Sequence, residues 1–284
     1  DDKIQLTIKN LNSESCFSEN ANRVLLATGH WFKKNDWIHF FDSPWPANDL
    51  LRGIPKGEKV AIIGTSLSAI ETLLTLTSEG EFIRSDAGKL MYRPPEASRS
   101  FVLYSRRGLL PKVRGKMGNR VNKFLNRKTL TRLLSANRGN LSLETIFKLL
   151  NSDLAEVYGH PIDWDNILNP SETPAVLLQV YLNDAIHGDG PNGELIWQTV
   201  LHQSFDIVRD IYLSLNLGDR RHFDKNFTSV FFTHAATMPA VNAEKLLALM
   251  KAEIVEVRKL GTDYRLKKDD EKESYEFIYR DAQG

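Results

Sequence analysis

The sequence predicts an α/β protein: a parallel sheet of Rossmann-like strand–turn–helix units, interrupted by a block of helices. Three observations carry that expectation. The run Val60-Ala61-Ile62-Ile63 is short and wholly apolar, and Gly64-Thr65-Ser66 and an amphipathic segment ending near Leu76 follow at once. That is the pattern of a buried parallel strand, a tight turn and a helix. Phe101-Val102-Leu103-Tyr104-Ser105 repeats the strand signal further along, and from roughly Val121 to Leu217 the apolar residues fall at helical spacing instead.

The 284 residues suffice for one large or two modest domains. A net charge of +1 gives no global pull towards nucleic acid or an anionic membrane. No apolar run approaches the roughly 20 residues that cross a bilayer. A single cysteine, Cys16, excludes an internal disulfide and points to a reducing, cytoplasmic setting. No cysteine cluster, His-x-x-x-His, Gly-x-Ser-x-Gly or Walker lysine motif is present, so neither a metal centre nor a catalytic residue is assigned.

In chain order, Lys3 to Lys9 alternates apolar and polar residues as a half-buried strand does, and Cys16-Phe17-Ser18 is a candidate short partner. Arg23 to His30 reads as a buried strand ending in Ala27-Thr28-Gly29. Trp31 to Gly57 lacks periodicity and carries proline punctuation, as a connector does, yet its many aromatics predict packing against a domain face or cleft. Glu81 to Arg99 reads as a loop or hairpin. Helices are expected over Val121–Leu134 with a break around Lys128, over Leu143–Leu154, from Pro174, and over Ile196–Leu215 with Gly218 as the stop. Ser229 to His234 reads as a strand, Asn242 as the cap of a helix over Ala243–Lys251, and Ile254–Val257, Tyr264–Leu266 and Tyr275–Tyr279 as antiparallel strands.

The chemistry concentrates around Gly64. A helix start there presents unpaired backbone N–H groups and the positive dipole end to an anion. Gly64 permits close backbone approach, Thr65 and Ser66 supply hydroxyls, and Ala69 keeps the helix near the sheet. The pattern is Gly-x-Ser-x-x-Ala, which fits a dinucleotide site or an ordinary strand–helix turn. Arg106 and Arg107 follow the second strand. In a nucleotide-binding unit that strand ends beside the adenine ribose, where arginine suits the extra phosphate of NADP. The plain alternative is a solvated basic corner. Basic residues from Leu109 to Arg120 form either an exposed face or a positive rim beside an anionic cofactor.

These stretches together resemble the two-dinucleotide-binding flavoprotein superfamily, which includes flavin-containing and N-hydroxylating monooxygenases and related FAD/NAD(P)-binding proteins. Val24-Leu25-Leu26-Ala27-Thr28-Gly29-His30 looks like that family's Ala-Thr-Gly strand, which closes the FAD domain. Val60 to Glu71 looks like its NAD(P) motif, and Ser105 to Pro111 like the loop after the second strand of the NAD(P) unit. The resemblance implies Gly64, Thr65, Ser66 and Ser68 at the pyrophosphate, Arg106 and Arg107 at the 2′-phosphate, and Thr28 and Gly29 near FAD. It implies the cofactors FAD and NADP, with NAD as the alternative to NADP. It divides the chain into the tail of an FAD-binding domain and connector (1–45), a Rossmann-like NAD(P) core (46–115), a helical insertion (116–222), a return to the NAD(P) domain (223–260) and a β segment towards the FAD domain (261–284). The chain begins without Met and without the N-terminal Gly-x-Gly-x-x-Gly unit of that superfamily, which points to a fragment. The expected activity is an FAD-dependent NAD(P)H oxidoreductase, a monooxygenase being one form of it, acting on a small molecule that the sequence does not specify. A homo-oligomer or the missing FAD-domain segments would complete it. The alternative is a non-catalytic dinucleotide-binding or interaction module.

Overall fold

The structure is a computed structural model, and it describes residues 3–10, 12–25, 37, 39–261, 263–269, 271 and 274–279. The chain divides into two units, Asp1–Ser43 and Pro44–Gly284. In the first, β1 (Ile4–Lys9) and β2 (Cys16–Ala21) form an antiparallel hairpin with Ile4 opposite Ala21 and Lys9 opposite Cys16. The turn closes through Asn10, whose N–H donates to Ser15 O at 2.9 Å and whose Oδ1 accepts from Asn12 N at 2.9 Å. Arg23, Val24 and Leu25 are in irregular backbone rather than the buried strand expected there, and Leu25 is 90 % exposed. Thr28 and Gly29 lie outside the described residues.

The second unit opens on a short helix in the expected connector, α1 (Ala47–Gly53), which the proline punctuation hid. Next come β3 (Lys59–Ile63), α2 (Leu67–Leu76), the antiparallel hairpin β4 (Glu81–Arg84) and β5 (Leu90–Arg93), and β6 (Ser100–Ser105). Strand β3 pairs parallel with β6, placing Ile63 beside Tyr104. Eight helices follow: α3 (Arg127–Ala136), α4 (Leu143–Tyr158), α5 (Trp164–Leu168), α6 (Pro174–His187), α7 (Ile196–Ser214), α8 (Leu217–Asn226), α9 (Thr228–Ala235) and α10 (Ala240–Lys251). The chain then returns to the sheet as β7 (Val255–Lys259), parallel to β6, and ends its described part in the antiparallel pair β8 (Arg265–Asp269) and β9 (Ser274–Ile278). The result is a mixed α/β unit around a parallel three-stranded sheet of order β3-β6-β7.

Alternation along the strands decides where the core sits. Val60, Ile62, Phe101, Leu103, Val255 and Val257 share one face, and Ile70 and Leu73 of α2 and Leu246 and Leu249 of α10 cover it. The opposite face is only partly covered. Tyr104 stacks on Phe277 at 4.6 Å between ring centroids, whereas Ile63 is 47 % exposed. Among the described strands β3 lies at the edge of the sheet with one face half-buried against the core, not the fully buried strand that its apolar run suggests. Leu125, Leu130, Leu141, Ile146, Ile207 and Ile211 form a second core within the helical block.

Four other expectations change. Ser229–His234 is not a strand but lies within α9. A short apolar run does not separate the two states, and Phe227, Phe231 and His234 recur at helical spacing to line one cavity. Strand β7 is parallel to its neighbour, because α10 carries the chain back across the sheet before it starts. Gly218 does not end α7; Asn216 caps a further helix by accepting from Asp219 N at 2.9 Å, and Gly218 lies inside it. Helix α10 starts at Ala240 after Pro239, two residues before the expected Asn242 cap. Among the described residues no helix is long and apolar enough to cross a membrane.

Candidate nucleotide site at the carboxyl end of the sheet

Parallel pairing brings the carboxyl ends of β3, β6 and β7 to one edge, where open α/β sheets form their ligand crevices. The backbone turns off β3 at Gly64, whose φ of +120° lies in a region that favours glycine. Its N–H donates to Tyr104 O at 2.7 Å, extending the β3–β6 ladder one residue past the strand. A side chain added there would meet no atom within 4 Å, so the space in front of the turn is open.

Thr65 is 8 % exposed, and its Oγ1 donates to Leu109 O at 2.7 Å. The hydroxyl therefore ties the β3–α2 turn to the loop after β6, and only the Thr65 backbone remains to meet a ligand. Ser66 is the exposed N-cap of α2 and makes no side-chain cap bond; Ser68 is exposed in the first turn. The first intrahelical bond runs from Ile70 N to Ser66 O, which leaves the amides of Leu67, Ser68 and Ala69 ahead of the helical ladder. No acidic residue occupies that first turn. An anion placed there meets amide donors that lie ahead of the helical ladder, and a favourable dipole.

Arg106 and Arg107 continue directly from β6. Register sets Ile63 beside Tyr104, so the arginines lie two and three residues past the position level with Ile63, on the strand adjacent to the Gly64 turn. Their backbone is fixed on the other side, where Ser105 O accepts Leu260 N at 2.8 Å and Arg106 O accepts Gly261 N at 3.0 Å. Gly108 turns the chain at φ +68°, its N–H held by Ser105 Oγ at 3.0 Å. Both arginines are half-buried, and Arg106 Nη1 donates to Lys225 O at 3.3 Å. Gly64, Thr65, Ser66, Ser68, Arg106 and Arg107 thus converge on one edge. The hairpin β4–β5 absorbs the long interval between the glycine turn and the arginines.

The basic loop after Gly108 is neither a simple exposed face nor a continuous positive rim. Leu109, Leu110, Pro111 and Val113 are buried. Helix α7 stitches the loop down: Gln198 Oε1 accepts Gly115 N at 3.0 Å and Thr199 Oγ1 accepts Gly118 N at 2.9 Å. Its basic side chains are tied to the helical block, with Lys116 Nζ on Asn192 O at 3.0 Å and Arg120 against Glu156 at 3.3 Å.

Sequence reasoning passed over two features. A literal Gly-x-Gly-x-x-Gly stands at Gly188-Asp189-Gly190-Pro191-Asn192-Gly193, but it joins α6 to α7 and follows a helix rather than a strand. A side chain at Gly188 would collide with the Gly193 backbone, at 2.3 Å. The glycines close a tight interhelical loop there and make no phosphate cradle. The second feature is a cavity of about 450 Å³ inside the helical block, with Lys112 in its wall. Its sequence signal is the helical spacing of Phe227, Phe231 and His234.

No protein-family profile matches the chain. It is similar to "Uncharacterized protein YdhS" of Escherichia coli (strain K12), with 24 % identity over 299 aligned residues that cover 94 % of this chain and 55 % of the relative. The likeness extends over nearly the whole chain, and the chain spans about half the length of the curated relative it matches.

Proposed function

We propose that this chain is the NAD(P)-binding part of an FAD-dependent NAD(P)H oxidoreductase, with NADPH as the preferred nucleotide. One observation carries the reading: a glycine turn leading into a helix N-terminus and a pair of arginines end adjacent parallel strands on the same edge of the sheet. Strand order β7-β6-β3 corresponds to the 3-2-1 half of a doubly wound sheet, and α2 and α10 cover one face as its crossover helices would. In this reading the backbone of Gly64 and Thr65, the first-turn amides of α2 and the hydroxyls of Ser66 and Ser68 bind the pyrophosphate. Arg106 and Arg107 bind the 2′-phosphate through planar, bidentate donors.

NADPH supplies a hydride; the residues of this chain hold and orient it, and the crevice needs no acid–base pair for that task. FAD fits these residues less well. Among the described residues no second strand–turn–helix unit with a glycine turn accompanies Gly64, and Thr28 and Gly29 lie outside the described residues. The flavin part of the proposal therefore rests on the resemblance of Ala27-Thr28-Gly29 in the sequence, and a cytoplasmic setting belongs to the same proposal. A second reading, a non-catalytic nucleotide-binding or interaction module, is favoured by the exposed sheet face at Ala61 and Ile63.

The arginine pair provides the test. Changing Arg106 and Arg107 together to Ala is expected to weaken NADPH by about tenfold or more while NADH changes by less than about threefold, as loss of charge-assisted bonds to one phosphate predicts. Calorimetric titration with both nucleotides reads the difference. Equal losses reject the 2′-phosphate assignment.

A further inference from the structure

The cavity in the helical block has the size and composition of a small-molecule site. Helices α4, α5, α7, α8 and α9 surround about 450 Å³, and the walls include Phe147, Trp164, Trp197, Phe227 and Phe231. Phe147 and Phe227 meet at 4.6 Å between ring centroids, which fixes two of those walls against each other. Trp164 Nε1 donates to Asn151 Oδ1 at 2.6 Å, and Tyr158, also in the wall, donates its hydroxyl to Asp189 at 2.8 Å. Those polar edges already have partners, so the rings contribute apolar surface to the cavity.

Among the lining residues Lys112 is the one lysine or arginine; His160, Asp163, Asn166 and His234 also line the cavity, with Asp163 engaged at the start of α5, where its Oδ1 accepts from Asn166 N at 3.1 Å. Lys112 enters from the loop after β6, anchored by its N–H to Thr233 O at 2.9 Å and by Met238 N to its own carbonyl at 2.9 Å. Its ammonium lies 3.4 Å over the Tyr181 ring and has no hydrogen-bond acceptor among the described residues. The Asp184 carboxylate acts on it electrostatically. A charged ammonium in such surroundings carries a desolvation cost that the ring face and the Asp184 carboxylate only partly offset. Burial accordingly pushes its pKa down to about 8, while Asp184 opposes the shift.

We propose that this cavity binds a planar aromatic carboxylic acid, with the ring against the Phe and Trp walls and the carboxylate paired with the Lys112 ammonium. An aliphatic acid would forgo the ring contacts, and a neutral arene would leave the ammonium without an acceptor. The site is separate from the β3–α2 crevice and stands whether or not that crevice binds a dinucleotide.

Binding of 2-naphthoate and of its neutral analogue 2-naphthamide at pH 7, followed by calorimetry and by quenching of Trp164 and Trp197 fluorescence, tests the proposal. The acid is expected to bind saturably at one site, about tenfold tighter than the amide, the scale of one charge-assisted contact. Lys112→Met should bring the acid to within about threefold of the amide and leave amide binding unchanged, which shows that the aromatic walls are intact. Lys112→Gln, read against the same amide control, serves if the methionine variant does not fold. Absence of saturable binding, equal affinity of acid and amide for the unmodified protein, or an acid preference that survives both substitutions overturns the proposal.

Discussion

Lys112 shows how much of the behaviour of this chain depends on single residues in tertiary surroundings. Its pKa falls from 10.5 to about 8 because the ammonium is buried. Below about pH 8 the lysine is charged in both the folded and unfolded states, so the full burial penalty bears on the folded state. As pH rises from about 8 to 10.5 the folded state releases its proton first, and that penalty disappears. At about 1.4 kcal/mol per pH unit the penalty is of the order of 3 kcal/mol, reduced by the contact with Tyr181. Lys112→Met is therefore expected to stabilise the protein by roughly 1–2 kcal/mol at pH 7 in urea unfolding. The gap between variant and parent should close towards pH 10. A gap that stays constant with pH contradicts the burial account.

Other residues separate what sequence can reveal from what it cannot. The placement of Gly64, Arg106 and Arg107 at one edge of the sheet was legible because each directly follows an apolar strand. Thr65 was legible only in part: a hydroxyl beside a glycine turn suggests a phosphate contact, yet its acceptor is Leu109 O, 44 positions away. Asp153 gave no signal. It is fully buried and accepts from Lys123 N, Phe124 N and Leu125 N at 2.7–3.0 Å, a role fixed by packing alone.

At the scale of elements, strongly periodic segments were legible and short apolar ones were not. Thr173 caps α6 ahead of Pro174, and Gly159 ends α4 with φ +70°, both as local chemistry dictates. Segment 229–234 was misread because six residues contain too little periodicity to choose helix or strand, and β7 because strand direction is set by the connection before it. Arg99 shows how elements are joined. It is 5 % exposed, and its guanidinium donates to Ile54 O at 2.7 Å, Pro55 O at 3.2 Å and Leu76 O at 3.2 Å. It thus binds the ends of α1 and α2 to the start of β6. Arg99→Leu would leave those carbonyls without a donor, and a loss of about 2–3 kcal/mol is expected in chemical denaturation. A change under about 0.5 kcal/mol would show that water replaces the guanidinium at these carbonyls.

At the scale of the molecule, the second unit presents two candidate sites joined by one continuous stretch of chain. Residues 106–112 run from the arginines at the sheet edge to Lys112 in the cavity wall, fastened to the β3–α2 turn through Thr65 and to the helical block through Thr233. The sheet edge was anticipated from the Gly64 turn and the arginines. The cavity was not, because its walls come from helices far apart in sequence. The sheet face at Ile63 is partly exposed, and the chain spans about half the length of the E. coli relative.

In the proposed function, the turn at Gly64 and the arginines after β6 together hold the phosphates of NADPH. Backbone amide chemical shifts, recorded while NADPH is titrated into the protein, test it most directly. Saturable changes are expected at residues 64–69 and 106–108, with NADH producing smaller changes at 106–108. Absence of saturable changes at 64–69, or a response confined to the helical block, would contradict it.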